Sequence, residues 1–215
     1  MRFLNSMSNS EHMRKTLPIS FFEGEQVVEI ARDLLGKIIE TRIDGIRTSG
    51  RIVETEAYVA MVDKASHAFG GRRTARNEAM YGKPGTAYVY ICYGIHQMFN
   101  IVTNKQGVAD AVLIRAVEPL DGIPRMLERT GKSKADFTLT KGPGNVGKAL
   151  GIHKVHSGIS LTGETIRICY DDYVVEDALV GRSARIGVAY AGADAFMPYR
   201  FFIKGNRYVS GKTGN

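Results

Sequence analysis

Glu54 and Glu56 stand two residues apart in the run RIVETEAYV, Arg51 to Val59, with Tyr58 two residues further on. Alternation along a strand puts Ile52, Glu54, Glu56 and Tyr58 on one face and Val53, Thr55, Ala57 and Val59 on the other. The second set is the natural core face. The first, taken by itself, has the pattern of a solvated strand face with surface ion pairs. It also holds a carboxylate base beside an aromatic platform, which is the equipment of a chemical site. Two close carboxylates suit a glycoside hydrolase as well, although same-face neighbours of this kind are common by chance. In AVLIRAVEP, Ala111 to Pro119, an apolar strand is interrupted by Arg115. A buried guanidinium must find an anion or water, because an uncompensated charge is costly to bury. Arg115 reads either as half of a structural ion pair or as a partner of Glu56, or of a substrate phosphate, at the floor of a site.

Three further stretches carry chemical potential. HAFGGRRTARN, His67 to Asn77, sets three arginines around a Gly-Gly pair. Backbone amides and guanidinium groups together suit phosphate contacts, and the plain alternative is a basic surface loop. YVYICYGIHQMFN, Tyr88 to Asn100, reads as two β-prone runs meeting at a turn that holds the large aromatic Tyr93. TKGPGNVGKAL, Thr140 to Leu150, imitates a phosphate-binding loop through Gly142, Gly147 and Lys148, after a short strand at Phe137–Leu139. Ala149 stands where that motif needs a hydroxyl for magnesium, and no βαβ context follows. The segment reads better as a turn into a helix whose free N–H groups could hold a phosphate.

The elements that must position these groups follow from periodicity. Ser20–Glu23 fits a capping box before a helix with Val27, Ile30, Ala31, Leu34 and Leu35 on one face, ended by Gly36. Lys37–Arg42 and Arg47–Val59 form a hairpin about Asp44-Gly45. Lys64–Tyr81 is a long loop, and strands follow at Ala87–Tyr93, Gln97–Thr103 and Val108–Val117. Asp121–Arg129 and Asn145–Leu150 read as short helices. The remainder is strand-rich, at Ile159–Thr162, Thr165–Tyr170, Ala184–Ala189 and Tyr199–Ile203. Hairpin-joined strands with bunched helices predict an α+β fold rather than a doubly wound sheet.

Bulk properties narrow the partner. The 215-residue chain suits one domain, expected over 21–215, behind a disordered N-terminal extension over 1–20. Its 29 Lys+Arg against 22 Asp+Glu give +7, and a pI near 9.4 points to a polyanion, nucleic acid before an anionic membrane surface. Cys92 and Cys169 form neither a zinc motif nor a disulfide framework. No apolar run has the length of a membrane span, and residues 1–20 lack a signal peptide's apolar middle. These features predict a soluble intracellular protein, cytoplasmic or nucleoid-associated.

In order and with near-family spacing, RIVETEAY, His67, GGRRTARN, KPGTAYVYICYG, Asn100 and LIRAVEPL resemble the alkyladenine (3-methyladenine) DNA glycosylases, from about Glu25 to about Val209. The resemblance implies a single mixed α/β domain with a curved, mostly antiparallel sheet, flanking helices and a protruding, DNA-inserting β-hairpin. It implies a monofunctional glycosylase that flips damaged purines (3-methyladenine, 7-methylguanine, hypoxanthine, ethenoadenine) out of double-stranded DNA and leaves an abasic site. No metal and no cofactor are implied, and a monomer suffices. By the same resemblance Glu56 is the general base, and Arg115 and the main-chain carbonyl of Ile186 help it hold the attacking water. Tyr58 stacks on one face of the flipped base, while His67 and Tyr90 line the other side. Asn100 screens the purine, Tyr93 fills the gap left in the duplex, and Arg72, Thr74 and Arg76 lie near the DNA backbone. Arg115 is expected to keep Glu56 ionised by lowering its pKa. His96 stands where family members can carry an aromatic. The competing class is a non-catalytic nucleic-acid-binding protein that uses Tyr88, Tyr90 and Tyr93 as stacking platforms.

Overall fold

A computed structural model describes residues 14–211. Its elements are β1 (Lys15–Thr16), α1 (Val27–Asp33), β2 (Ile38–Ile43), β3 (Ile46–Tyr58), β4 (Ala87–Cys92), β5 (His96–Val102) and β6 (Ala111–Asp121). Then come α2 (Ile123–Thr130), α3 (Pro143–Leu150), β7 (Ile166–Tyr170), β8 (Val180–Ser183) and β9 (Arg200–Ile203). The strands form one curved, antiparallel sheet in the order β1-β7-β2-β3-β6-β5-β4, with β9 joining β3 and β8 pairing β9. The fold is α+β, as the hairpin-rich pattern predicts.

β3 is the strand on which the sheet turns. It pairs with β6 along most of its length, with β2 over Ile46–Arg51, and with β9 over Glu54–Glu56. The change of neighbour coincides with two irregularities against β6. Val53 is passed over on β3, and Arg115 is passed over on β6 between the pairs Glu54↔Ala116 and Thr55↔Ile114. Bulges of this kind bend a strand and re-aim side chains. Here Ile52 and Val53 both enter the core, so the simple alternation expected for RIVETEAYV breaks at Val53. Beyond it the alternation resumes. The Thr55 hydroxyl bonds the Ala31 carbonyl of α1 at 2.7 Å and Ala57 joins the core, which leaves Glu54 and Glu56 on the opposite face. That face is not solvated as the pattern alone suggested: both carboxylates are fully buried.

The core lies between the sheet and the helices α1, α2 and α3. It joins Val27, Ile30 and Ala31 of α1, Met126 of α2 and Val146, Ala149 and Leu150 of α3 to Ile114, Ile168, Phe201 and Phe202. Among the described residues no helix is long and apolar enough to cross a membrane.

Several local expectations need correction. Lys15 and Thr16 pair with β7 and Leu17 is buried, so the expected extension 1–20 overlaps the fold from residue 14; its first thirteen residues lie outside the described ones. Ser20 sits in a 3-10 turn, Ile19–Phe21, and α1 starts later, at Val27, without a side-chain cap. Phe137–Leu139 is a 3-10 turn, because the Asp136 carboxylate captures the Thr138 N–H at 2.8 Å. Ile159–Thr162 contributes only isolated bridges, and Ala184–Ala189 forms no strand. In the latter, Gly187 takes φ +79, and the N–H of Ile186 is turned onto a side chain instead of a neighbouring strand.

The phosphate-loop imitation has a packing explanation. α3 lies against β5, and a Cβ at Gly147 would collide with the Gln97 carbonyl, one at Gly144 with the His96 ring. These glycines admit a close approach of helix to strand, while Lys148 Nζ donates to the Thr130 carbonyl at 3.3 Å.

Candidate active site

Arg115 sits between two buried carboxylates. Its Nε donates to Glu54 Oε1 at 2.8 Å, and Nη1 lies 3.2 Å from Glu56 Oε2. The structural ion pair and the link to Glu56, posed as alternatives by the sequence, are therefore both present. Glu54 is committed elsewhere as well. Its Oε1 also accepts from Arg200 Nε at 2.7 Å and the Ser210 hydroxyl at 3.0 Å, and its Oε2 accepts from the Ser210 N–H at 2.7 Å. A carboxylate held by four donors cannot act as the second acid of a glycoside hydrolase pair.

Glu56 has more capacity to spare. Oε2 accepts the Tyr58 hydroxyl at 2.9 Å as well as facing Arg115, and Oε1 accepts the Ile186 N–H at 2.8 Å. The atom of Ile186 that touches Glu56 is thus its N–H. Burial pushes the Glu56 carboxyl above its ordinary 4.5, and the Glu54 charge adds to the effect. Arg115, the Ile186 N–H and the Tyr58 hydroxyl pull the other way without overcoming burial. The expectation that Arg115 leaves Glu56 with a lowered pKa is corrected accordingly: desolvation outweighs the guanidinium. Burial and the neighbouring Glu56 hold the Tyr58 phenol well above its usual range, so it remains a donor.

Aromatic groups gather beside this carboxylate. The Arg185 guanidinium lies 4.8 Å from the centre of the Tyr58 ring, covering one face, and is itself bound by Asp63, with Nη2 to Oδ1 at 2.8 Å. The rings of His67 and Tyr90 meet edge to face at 4.6 Å, and Tyr88 stacks on Tyr90 at 5.6 Å. His67 Nδ1 lies 2.9 Å from the Tyr88 hydroxyl. Burial, then Arg76 and Arg72, lowers the His67 pKa and favours the neutral imidazole. Burial raises the Tyr88 phenol to about 12 and the Tyr90 phenol further. Asn100 is buried on β5, and its Nδ2 donates to the carbonyls of Tyr88 at 3.2 Å and Met98 at 3.1 Å. The amide is thereby fixed with both donors spent.

The hairpin β4–β5 ends at a turn in which Tyr93 (φ +50) and Gly94 (φ +75) are both left-handed, and the Ile95 N–H donates to the Cys92 carbonyl at 3.2 Å. Positive φ is uncommon for a tyrosine. Tyr93 is 90% exposed and Ile95 73%, an unusual display of apolar surface at a tip. Arg72, Thr74 and Arg76 are exposed on the loop before it. Arg76 reaches the Ile91 carbonyl of the hairpin at 3.3 Å, whereas Arg73 is engaged by Glu78 at 2.5 Å.

Four organising residues carried no local signal in the sequence. Asp63 and Arg185, and Arg200 and Ser210, meet their partners only through long-range folding. Asn77 ends the motif His67–Asn77 and is buried. Its amide knits the loop, with Nδ2 to the carbonyls of His67 at 3.1 Å and Arg72 at 2.8 Å, and Oδ1 receiving the Thr74 N–H at 2.7 Å. Among the described residues, no three His, Cys, Asp or Glu side chains gather as a metal site requires.

Comparison with known proteins gives the family. The family model for methylpurine-DNA glycosylase (MPG) matches residues 20–207. The chain belongs to the methylpurine-DNA glycosylase family. It is 42% identical over 203 residues to a candidate 3-methyladenine DNA glycosylase of Bacillus cereus (strain G9842), covering 91% of this chain and 98% of that one. A protein of the same description from Clostridium perfringens (strain 13 / Type A) is 41% identical over 199 residues, covering 89% of this chain and 97% of the relative. The matched span includes Glu56, Arg115, the aromatic group and Ile186; Ser210 lies just beyond it.

The electrostatics of Glu56 make a stability prediction. Its folded pKa is raised, so the protonated folded state is favoured below 4.5, and that stability is lost as pH rises through the raised value. Glu56→Gln escapes this loss. In urea titrations its stability relative to the parent chain should improve as pH rises from about 4.5 and then level off. A difference that moves the other way contradicts the assignment.

Proposed function

We propose that this chain is a monofunctional DNA glycosylase of base excision repair that extrudes an alkylated purine from duplex DNA and hydrolyses its N-glycosidic bond. The observation that carries this reading is the buried Glu56 carboxylate, held by Arg115, Tyr58 and Ile186 beside a cluster of aromatic rings. Family membership supports a DNA glycosylase independently. A base stacked in a duplex hides its glycosidic bond, so the nucleotide must first swing out. The exposed Tyr93 is the wedge that fills the vacancy, recovering apolar burial and slowing return of the base. Arg72, Thr74 and Arg76 hold the backbone alongside.

The extruded purine enters between Tyr58 on one side and His67 and Tyr90 on the other. Arg185 already covers one face of Tyr58, so the base stacks on the opposite face. Alkylation at N3 or N7 makes the base cationic, and electron-rich rings then favour it over a neutral purine by about 1–2 kcal/mol. The same charge makes it a good leaving group and lowers the cost of ionising the buried Glu56. Glu56 takes the proton of a water attacking C1′ and offsets positive charge developing on the sugar. Its raised pKa makes it a stronger base than an exposed glutamate. Arg115 and the main chain at Ile186 fix the carboxylate for this task. The fixed Asn100 amide collides with the exocyclic amino group of guanine and so screens the purine. 3-Methyladenine is the substrate class nearest this chemistry; 7-methylguanine, hypoxanthine and ethenoadenine are tested beside it. The product is an abasic site, and a monomer acting on damaged double-stranded DNA suffices.

Glu56→Gln should slow release of methylated purine at least about 100-fold while leaving DNA affinity nearly unchanged. Single-turnover release assays with duplex binding measurements check this, and retained release removes Glu56 as the base. Borohydride should trap no covalent adduct with the parent chain; a trapped adduct points to an amine nucleophile. Tyr93→Ser should weaken binding to a duplex with an abasic analogue roughly tenfold, as loss of a buried aromatic implies. Unchanged affinity argues against insertion. Asn100→Ser should raise release of unmodified guanine, and a rate no higher than the parent's places the filter elsewhere.

A further inference from the structure

The segment that follows β9 folds back onto the site. Val209 and Ser210 are buried there. Ser210 uses every polar atom it has. Its N–H and hydroxyl both donate to Glu54, its hydroxyl oxygen accepts from Arg115 Nη2 at 3.1 Å, and its carbonyl accepts from Arg200 Nη2 at 2.5 Å. Arg115 is therefore gripped on two sides, by Glu54 at Nε and by Ser210 at Nη2, which leaves Nη1 turned to Glu56. The next residue, Gly211, lies beside the side chain of Ile186, the other support of Glu56. Gly211 has φ +69, and a Cβ placed on it would lie 2.5 Å from Cδ1 of Ile186, whose N–H holds Glu56 Oε1.

We infer that Ser210 and Gly211 form a positioning strap, fixing Arg115 and Ile186 against Glu56 without touching the reacting atoms. This rests on Glu56 being the base. A guanidinium is planar, so partners at two of its nitrogens fix the direction of the third. Losing the Ser210 hydroxyl leaves Glu54 as an off-centre anchor about which Arg115 can turn. A displacement of about 1 Å in a positioning group is enough to cost up to about 100-fold in rate. Arg115 also opposes the burial that raises the Glu56 pKa, so a looser Arg115 lets that pKa rise further. Gly211 bears on the second donor by a different route: a side chain there strains the left-handed backbone beside Ser210 and meets the tip of the Ile186 side chain.

The test uses the full-length chain and a methylated duplex under single-turnover conditions, across pH. Ser210→Ala should lower the rate of base release roughly 10- to 100-fold and move the acid limb of its pH profile upward. Affinity for a duplex containing an abasic analogue should stay within about twofold, because neither residue is placed at the DNA. Ser210→Thr restores a hydroxyl and should recover most of the rate. Gly211→Ala provides the second variant and should slow release with the same retained affinity. Assays run well below each variant's melting temperature separate this from a stability defect. A lowered melting temperature with parental rate and parental acid limb in both variants shows a merely structural strap and overturns the inference. Glu56→Gln run alongside separates the two claims. If that variant releases base normally, the underlying reading fails; if it is inactive while both strap variants are normal, only the positioning inference fails.

Discussion

One arginine shared by two buried carboxylates constrains most of this structure. An ion buried without a partner is destabilising by several kcal/mol, so Glu54, Glu56 and Arg115 can occupy the interior only as a set. Their charges do not cancel within the trio, and Arg200 supplies the second cation. The backbone is arranged to bring these four together. β3 leaves β2 and takes up β9, which carries Arg200 to the level of Glu56. The register with β6 slips at Arg115. The chain then returns after β9 so that Ser210 can satisfy the remaining oxygen of Glu54.

The two carboxylates divide labour through their environments. Glu54 is saturated by donors and holds the set together. Glu56 has fewer partners, and burial raises its affinity for a proton. Two acids two residues apart on one strand, both fully buried, thus take different roles, because one is fully hydrogen-bonded and the other has acceptor capacity left. Such a group costs the folded state stability near neutral pH, and a base that must take a proton from water gains from the same desolvation. The aromatic cluster is subject to a related limit. Arg185 claims one face of Tyr58, so in the proposed binding mode only the other face can receive a stacked base.

Much of the framework was legible because it is local. The Asp44-Gly45 turn requires positive φ at both positions and has it, at +55 and +72. The hairpin with Tyr93 at its tip, the helix at Pro143–Leu150 and the buried Arg115 follow from neighbours in the chain. What stayed hidden depends on distant partners. Nothing near RIVETEAYV announces that Arg200 and Ser210, 146 and 156 residues from Glu54, will cover a face that looks solvated. The bulge at Val53 has no sequence mark either. Ala184–Ala189 looked like a strand because its side chains are β-compatible, yet its value lies in a backbone N–H aimed at Glu56. Gly147 suggested phosphate because glycine permits any close approach; here it lies within α3 and the approaching group is β5. The direction of the Glu56 shift is not legible locally: Arg115 alone argues for a lowered value, and the depth of burial, set by distant segments, reverses it.

The account stands or falls on a desolvated Glu56 acting as the base. The most direct measurement is the second-order rate constant of methylpurine release, which reports the free enzyme, as a function of pH with the parent chain. The rate should fall on the acid side along a single-proton limb whose midpoint lies above 4.5, the ordinary value for a glutamate. A rate independent of pH across that range, or a limb at or below 4.5, contradicts the account.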